Sequence, residues 1–311
     1  MPGDRVLVGC TDDRRGADAV ALGTDMTSAA GGGGALLLGH VRMPAWPAGL
    51  GPGAVDAEWE RYLEDRARTV LARGAGLAAE RGVEPDRLLV GTDRGSGKGL
   101  ARLASEAGAD TIVIGSASGG PRAGISLGGT ADQLLHGSPV PIAIAPKNHA
   151  DLGRRGFDRV TVAYVRRPGA IDAVGLAATL ASRFGVPLRL LTFAVGSSAG
   201  GKAAVLAEEQ LRRLVEALRG DLADAVRETA LAGPLRQEDI LTEVAAGWDA
   251  AHAVRGARWT DGELLVCSSS EAGPLRRVFM GDMSLKIIRA APCPVMVVPR
   301  SAARGRRPEI R

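Results

Sequence analysis

The fold is decided by residues 111–146, TIVIGSASGGPRAGISLGGTADQLLHGSPVPIAIAP, and by their second copy at residues 264–299, LLVCSSSEAGPLRRVFMGDMSLKIIRAAPCPVMVVP. The two copies align without a gap at a constant offset of 153 residues. Gly128 matches Gly281, and Pro139, Pro141 and Pro146 match Pro292, Pro294 and Pro299. Self-similarity at a fixed period is the signature of a repeat, so the chain is predicted to be a tandem duplication.

In both halves, short apolar runs alternate with longer stretches in which apolar residues recur at helical spacing. The first half is predicted to contain strands at 5–9, 35–41, 87–91, 111–115 and 140–145 and helices at 16–29, 54–81, 100–107 and 131–136. The second half repeats the pattern, with strands near 160–165, 188–195, 239–245, 263–267 and 294–298. Parallel strands require crossover connections, which are right-handed. Each half is therefore predicted to be an α/β domain, a five-stranded parallel sheet with helices on both faces.

The chain length of 311 residues agrees with two such domains. We expect a first domain at 1–149, a polar linker at 150–156, a second domain at 157–300 and a basic disordered tail at 301–311. The two domains are expected to pair within the chain. A monomer satisfies that pairing, and a homodimer through the last strand of either half is also compatible with it.

Composition and charge exclude several classes of protein. The formal net charge is +4, but five arginines lie in the last twelve residues, so the body is close to neutral and a nucleic-acid partner is not indicated. The three cysteines show no CxxC spacing, which argues against a disulfide framework or a zinc site. No apolar run reaches the roughly 18 residues of a membrane span, and no secretory signal is recognised. A cytoplasmic protein without a membrane partner is expected.

Two loops are candidates for ligand binding. In doubly wound sheets, ligands bind beyond the carboxyl ends of the strands, where the strand order reverses. The loops there follow the first strand (10–15) and the fourth strand (116–130). The second loop is rich in glycine and serine and leads into a helix at about Gly129, so its N–H groups could form an anion site. The same composition also fits an ordinary surface loop.

The repeat resembles the universal stress protein family. The resemblance rests on the tandem five-stranded unit, on Gly39-His40-Val41 after the second strand and on the ending SPVPIAIAP at 138–146. It implies two Rossmann-like domains of the adenine nucleotide alpha hydrolase-like type. In nucleotide-binding members, the motif G-x2-G-x9-G-[ST] holds the phosphates of ATP, an acidic residue after the first strand holds the ribose, and the adenine lies near the end of the second strand.

The resemblance implies a partial site in the first half. The phosphate positions would be Gly115, Ser116, Ser118, Gly128, Gly129 and Thr130. Ser118 stands where the motif has its second glycine, and Gly129 stands at the Ser/Thr position. Thr11 and Asp12 would lie near the ribose, and Val41 would contact adenine through its backbone.

The second half departs further from the motif. The same register gives Ser268, Glu271, Gly281 and Asp282, so two carboxylates would face the phosphates. Like charges about 4 Å apart repel by roughly 1–4 kcal/mol. Arg276 and Arg277 would offset this repulsion or form a solvated loop face. Tyr164-Val165 provides no acid after the first strand of this half, which is therefore predicted not to bind ATP.

The leading hypothesis is a universal stress-type protein whose first domain binds ATP or AMP in a stress-response or regulatory role. Mg²⁺ would accompany ATP alone, and catalysis would be at most a slow ATPase activity. The alternative is a stress-response interaction scaffold in which both sites are degenerate.

Three further motifs are interpreted as structural. Residues 124–128, GISLG, spell a nucleophile elbow, but no strand leads into Ser126. Residues 95–99, GSGKG, lack the first glycine and the final Ser/Thr of a Walker loop, which favours a loop that caps the third helix, with Lys98 in solvent. The four histidines are scattered, so no metal site is predicted, and His40 is interpreted as a hydrogen-bonded structural residue.

Overall fold

The computed structural model describes residues 5–29, 33–44, 53–119, 124–153, 155–166, 170–196, 202–268 and 282–299. The chain divides into two compact units, with the main division between Arg155 and Gly156. The basic tail predicted at 301–311 lies outside the described residues. Within them, none of the helices combines the length and apolarity needed to cross a bilayer.

The first unit is a five-stranded parallel sheet with the strand order β3-β2-β1-β4-β5. Its elements are β1 (Arg5–Gly9), α1 (Arg14–Ser28), β2 (Ala35–Arg42), α2 (Gly53–Glu80), β3 (Arg87–Thr92), α3 (Ser96–Ala107), β4 (Thr111–Gly115), α4 (Gly129–Gly137) and β5 (Ile142–Ala145). The helices α1 and α2 pack together, as do α3 and α4. The strand order reverses between β1 and β4.

The second unit repeats this order as β8-β7-β6-β9-β10, again with parallel pairing. Its elements are β6 (Arg159–Ala163), α5 (Ala170–Phe184), β7 (Leu188–Val195), α6 (Lys202–Ala232), β8 (Ile240–Gly247), α7 (Ala250–Gly256), β9 (Glu263–Ser268), α8 (Asp282–Ala290) and β10 (Val295–Val298). The predicted duplicated parallel α/β architecture is confirmed.

The central strands are continuous apolar runs because parallel sheets are covered on both faces. Fully buried residues of these strands include Leu7, Leu36, Leu38, Ile112 and Ile144. These strands form the core that positions the loops at the carboxyl edge of the sheet.

The third helix starts earlier than the sequence predicts. Ser96–Gly99 form the first turn of α3, so the interpretation of this run as a loop was wrong. A Cβ on Gly97 would lie 2.6 Å from the Gln133 Cβ, and one on Gly99 would lie 2.5 Å from the Val41 Cγ1. The two glycines, which are poor helix formers, are therefore required by close packing against α4 and β2. Lys98 is exposed, as predicted.

The predicted linker begins with a short 3-10 helix, His149–Leu152, that is bound to the first unit. The Asn148 and Ala150 N–H groups donate to the Asp18 carboxylate at 3.1 and 3.0 Å. The His149 Nε2 lies 3.0 Å from the Asp25 Oδ2, and both side chains are buried. These contacts attach the start of the linker to α1.

A buried charged network lies at the amino edge of the second sheet. The Arg189 guanidinium, 2% exposed, contacts the Glu263 Oε1 and the Glu243 Oε2, each at 2.5 Å, and donates to the Thr161 Oγ1 at 3.0 Å. Arg159 donates to the Glu263 Oε2 at 2.8 Å. The two arginines and two glutamates balance in charge, as burial requires.

The first sheet has leucines at three of the five corresponding positions. Leu7 pairs with Leu37 as Thr161 pairs with Arg189. Leu89 occupies the place of Glu243 in the third strand of its half. The first repeat therefore has leucines where the second has Thr161, Arg189 and Glu243, whereas Arg159 and Glu263 correspond to a charged pair in both repeats, Arg5 and Asp110 in the first.

Candidate functional site

A cleft opens at the carboxyl edge of the first sheet, where the strand order reverses. Its volume is about 90 Å³. It is lined by Gly9, Cys10, Thr11 and Arg15, by Gly39, His40 and Val41, by Ser96 and Leu100, and by Ile114, Gly115 and Thr130. This is the place where doubly wound sheets bind ligands.

Three strands end in or near glycine at this cleft. A Cβ on Gly115 would lie 2.2 Å from the Arg15 carbonyl oxygen. A Cβ on Gly9 would lie 2.8 Å from the Leu100 Cδ1, and one on Gly39 would lie 2.9 Å from the Leu7 Cδ1. Gly115 therefore lets the end of β4 approach the start of α1, a structural requirement that holds without any ligand.

Asp13 caps the helix that follows β1. Its Oδ1 accepts from the Arg15 N–H at 3.0 Å, and its Oδ2 contacts the Arg15 guanidinium at 2.6 Å. Partial burial raises the pKa of the Asp13 carboxyl, but hydrogen bonds from Arg15 and Thr11 and the charge of Arg15 outweigh it, so the pKa lies below its usual value. The start of α1 is thus already occupied by a carboxylate.

The two residues predicted near the ribose differ in placement. Thr11 lines the cleft, and its hydroxyl donates to the Asp13 Oδ1 at 2.7 Å. Asp12 faces α2: its Oδ2 accepts from the Arg66 Nη2 at 2.7 Å, and its carbonyl accepts from the Arg73 Nη1 at 2.9 Å. It lines a separate groove beside Tyr62 and Arg66.

His40 and Cys10 form the floor of the cleft. The His40 Nδ1 lies 2.9 Å from the Cys10 carbonyl oxygen, so His40 is the hydrogen-bonded residue that the sequence predicts. Burial raises the pKa of the Cys10 thiol to about 12, outweighing the backbone N–H of Gly39. The thiol stays protonated at neutral pH and is not a nucleophile.

Ser116, at the start of the loop after β4, makes internal hydrogen bonds. Its N–H donates to the Ala145 carbonyl at 2.9 Å, and its hydroxyl accepts from the Ser126 N–H at 2.8 Å. The Ala117 N–H donates to the Ser126 carbonyl at 2.9 Å. Ser126 is thus held inside the loop, and His136 contacts Asp132 on its own helix. Ser118 is exposed, and residues 120–123 lie outside the described residues.

The start of α4 offers N–H groups without a side-chain cap. Gly128 is the cap residue and makes no side-chain hydrogen bond, whereas α1 has Asp13. A Cβ on Gly129 would meet nothing within 4 Å, so this residue faces open space. The positive end of a helix dipole favours anions.

Ser96 is a cleft residue that the sequence analysis missed. Its hydroxyl lies 2.6 Å from the Thr130 hydroxyl, so the starts of α3 and α4 meet at the cleft. The Gln133 Oε1 accepts from the Gly97 N–H at 2.9 Å, which caps α3 from the neighbouring helix. The available signal was a serine soon after the third strand, within the glycine run already noted.

The second half has side chains where the first has glycines. Gly9, Gly39 and Gly115 correspond to Ala163, Leu191 and Ser268 by strand register. Tyr164 takes the place of Cys10, and the Thr192 Oγ1 donates to its carbonyl at 2.9 Å. Glu271, Arg276, Arg277 and Gly281 lie outside the described residues, as does the side chain of Asp282, where α8 begins.

Both halves of the chain are similar to proteins of a known family. The model of the universal stress protein family matches residues 3–146 and again 156–299. A universal stress protein of Mycobacterium tuberculosis is 35% identical over 256 residues, which cover 79% of this chain and 83% of that protein.

Solved structures show the same fold. A universal stress protein from Archaeoglobus fulgidus superposes with a TM-score of 0.65 at 18% identity, over 96% of this chain and all of the other. A functionally unknown protein from Pseudomonas aeruginosa gives a TM-score of 0.58 at 14% identity, over 97% of this chain and 95% of its own.

Proposed function

Because the chain belongs to the universal stress protein family and carries its domain twice, we propose that the first half binds an adenine nucleotide, ATP or AMP. The nucleotide would serve a stress-response or regulatory role. The observation that carries this proposal is the cleft at the order reversal between β1 and β4, beside a helix start that has no side-chain cap. These two features together suit a ligand with an apolar ring and an anionic group.

The proposal gives each group of predicted residues a role. The N–H groups at Gly128, Gly129 and Thr130 would face the phosphates. The Ser96 and Thr130 hydroxyls are bonded to each other, so one of the two would add a donor. Thr11 would lie near the ribose and Val41 near the adenine. The hydroxyl and N–H of Ser116 are used within the loop, so its role is to hold the loop's shape.

The residues that line the cleft also bear on metal binding and on catalysis. Among the described residues that line the cleft, none is an acid. Mg²⁺ would therefore enter bound to the phosphates of ATP and would neutralise part of their charge. Asp12 and Asp13 are both paired with arginines, so neither is placed as a free base for an attacking water. A slow ATPase is the upper limit of the catalysis proposed.

A specific observation favours the second candidate, an interaction scaffold without nucleotide. The cleft volume of about 90 Å³ is smaller than the roughly 300 Å³ of a typical small-molecule site. The Ser96–Thr130 hydrogen bond also joins the two helices at the cleft. Binding a whole nucleotide would require the site to extend along the loop after β4.

Titration calorimetry on nucleotide-stripped protein, with ATP and then AMP, tests the proposal. One site per chain is expected. Gly129→Asp places the second half's acid at the start of α4 and should weaken binding about tenfold or more through charge repulsion. Gly137→Asp adds the same charge at the other end of α4 and should leave the affinity unchanged.

Three results would contradict the proposal or its expected stoichiometry. The absence of heat or thermal shift up to millimolar ATP would favour the scaffold. Unchanged affinity in Gly129→Asp would place the nucleotide elsewhere. Two sites per chain would mean that the second half also binds.

A further inference from the structure

A groove runs along the outer edge of the second sheet. β8 is the last strand of that sheet and pairs with β7 over Ile240–Gly247. Five consecutive residues of β8, 242–246, line one groove of about 530 Å³. Successive side chains of a strand point to opposite faces of the sheet, so a groove on one face would be lined by alternate residues. Five consecutive residues can line the same groove because it runs along the open edge of the strand. The backbone of β8 therefore borders the groove.

Helices from both faces of the sheet form its walls. α6 contributes Arg219 and Leu222, and the end of α7 contributes Gly256 and, two residues on, Arg258. Ala245 packs with Ala257 and Trp259 on the α7 side. An edge strand flanked by a helix is the arrangement to which extended peptides add as a further strand.

The groove is positively charged. Arg258 is exposed, and within the described part of the chain its guanidinium forms no hydrogen bond or ion pair. Arg219 pairs with Glu216 at 2.6 Å on the helix surface, where both side chains are more than 60% exposed, so the pair is weak. Glu243 also lines the groove, but its charge is neutralised by Arg189 at 2.5 Å.

We propose that this edge binds an extended acidic peptide segment of a partner protein, which adds beside β8 and places a carboxylate at Arg258. Leu241, 42% exposed, and Trp248, 57% exposed, lie at the two ends of the groove-lining run and offer apolar contacts. The main chain of β8 would supply affinity, and the arginines would select for acid.

The charge pattern argues against two other occupants. A second copy of this chain, paired edge to edge about a two-fold axis, would bring the same arginines towards each other. The last twelve residues of the chain hold five arginines, so this segment has the wrong charge for the groove.

The probe for the test is a fluorescein-labelled hexapeptide, Thr-Val-Ile-Val-Thr-Asp, titrated with the full chain by fluorescence anisotropy. We expect saturable binding that weakens about tenfold in the double variant Arg219→Glu/Arg258→Glu. The matched control is Arg213→Glu, an exposed arginine of α6 that lies outside the groove lining, and it should bind as the wild type does. Hydrogen exchange should slow in β8 when the peptide is bound.

Several outcomes would overturn the proposal. These are an anisotropy that does not saturate, equal binding of a peptide with Lys in place of Asp, and unchanged affinity in the double variant. Exchange protection confined to other strands would also overturn it. A dimer seen by light scattering and dissociated by the peptide would replace it with pairing between two copies.

Discussion

The two halves of this protein share one strand order and differ at both edges of their sheets. At the carboxyl edge, the first half ends its strands at Gly9 and Gly115 and leaves a cleft, whereas the second half has Ala163 and Ser268 there. At the amino edge, the first half packs leucines where the second half buries Arg189 among glutamates.

This difference shows which features of the repeat the fold requires. Both copies keep the apolar central strands and the crossover helices, because these form the core. The ends of the strands are not part of that core. They can therefore differ between the copies, and one copy has an open cleft where the other has side chains, while the other copy has a buried charged layer. The duplicated fold thus separates a candidate binding domain from a domain with a different surface.

The largest expected effect comes from breaking the charged layer. Arg189→Leu leaves Glu263 and Glu243 without their buried partner and should lower the free energy of unfolding of the second half by about 3–5 kcal/mol. Urea unfolding measures this loss. All three cysteines are buried in the folded chain. Because the variant destabilises the second half, Cys267 and Cys293 should be labelled before Cys10 as urea is added.

A triple variant provides the control for this prediction. Thr161→Leu/Arg189→Leu/Glu243→Leu copies the leucine layer of the first half and leaves Glu263 with Arg159. Replacing buried ion pairs by apolar residues is often neutral or stabilising, so the triple variant should be more stable than Arg189→Leu alone. If the triple variant is less stable than Arg189→Leu, leucines cannot replace the charged residues of the second half.

The second prediction concerns the glycine at the end of β4. Gly115→Ala places a Cβ 2.2 Å from the Arg15 carbonyl oxygen and should cost about 1–3 kcal/mol of stability by overpacking. Ser268→Gly, at the same register of the second half, should cost less, about 0.5–1 kcal/mol, through backbone entropy. Thermal unfolding compares the two variants. Equal losses would mean that the approach of α1 to β4 is not tight.

The third prediction concerns the helix cap beside the cleft. Asp13→Asn keeps an oxygen that can cap α1 but removes the negative charge at the helix start, and should cost about 0.3–1 kcal/mol at pH 7. Because the pKa of Asp13 is lowered in the folded state, its contribution is present above the pKa of the unfolded chain and is lost as pH falls below about 4. The stability difference between the wild type and the variant, measured by urea unfolding, should therefore shrink as the pH falls from 7 to 3.

Asp249 is the matched position in the second half, where it caps α7. The N–H and ring of His252 lower the pKa of the Asp249 carboxyl. Asp249→Asn should therefore show the same direction of pH dependence. A difference between the wild type and Asp13→Asn that does not change with pH would contradict the assigned cap.

The smallest expected effect tests the second half as a binding site. Asp282→Gly introduces the glycine that the first half has at the corresponding position, Gly129. The change should create no additional ATP site. The reason is that Leu191 and Ala163 stand where the cleft has Gly39 and Gly9. Calorimetric stoichiometry is the measurement. A second site in this variant would show that the acid alone prevents binding in the second half.

Sequence periodicity predicted most of the architecture. The strands β1 and β4 have the predicted bounds, and most of the other predicted strands differ by a few residues at most. The location of the cleft followed from the strand order, since the loops after β1 and β4 meet at the order reversal. Ser96 and the early start of α3 were missed because glycine at 97 and 99 disfavours a helix locally.

The duplication, the parallel sheets and the loops that surround the candidate site can all be predicted from the amino-acid sequence. Each of these follows from patterns within one strand, one helix or one repeat. Three contacts become visible in the folded chain alone: Asp12 pairs with Arg66, Ser96 contacts Thr130, and Arg189 is buried beside glutamates. Such contacts join residues far apart in the chain, and their geometry depends on packing that no local pattern records.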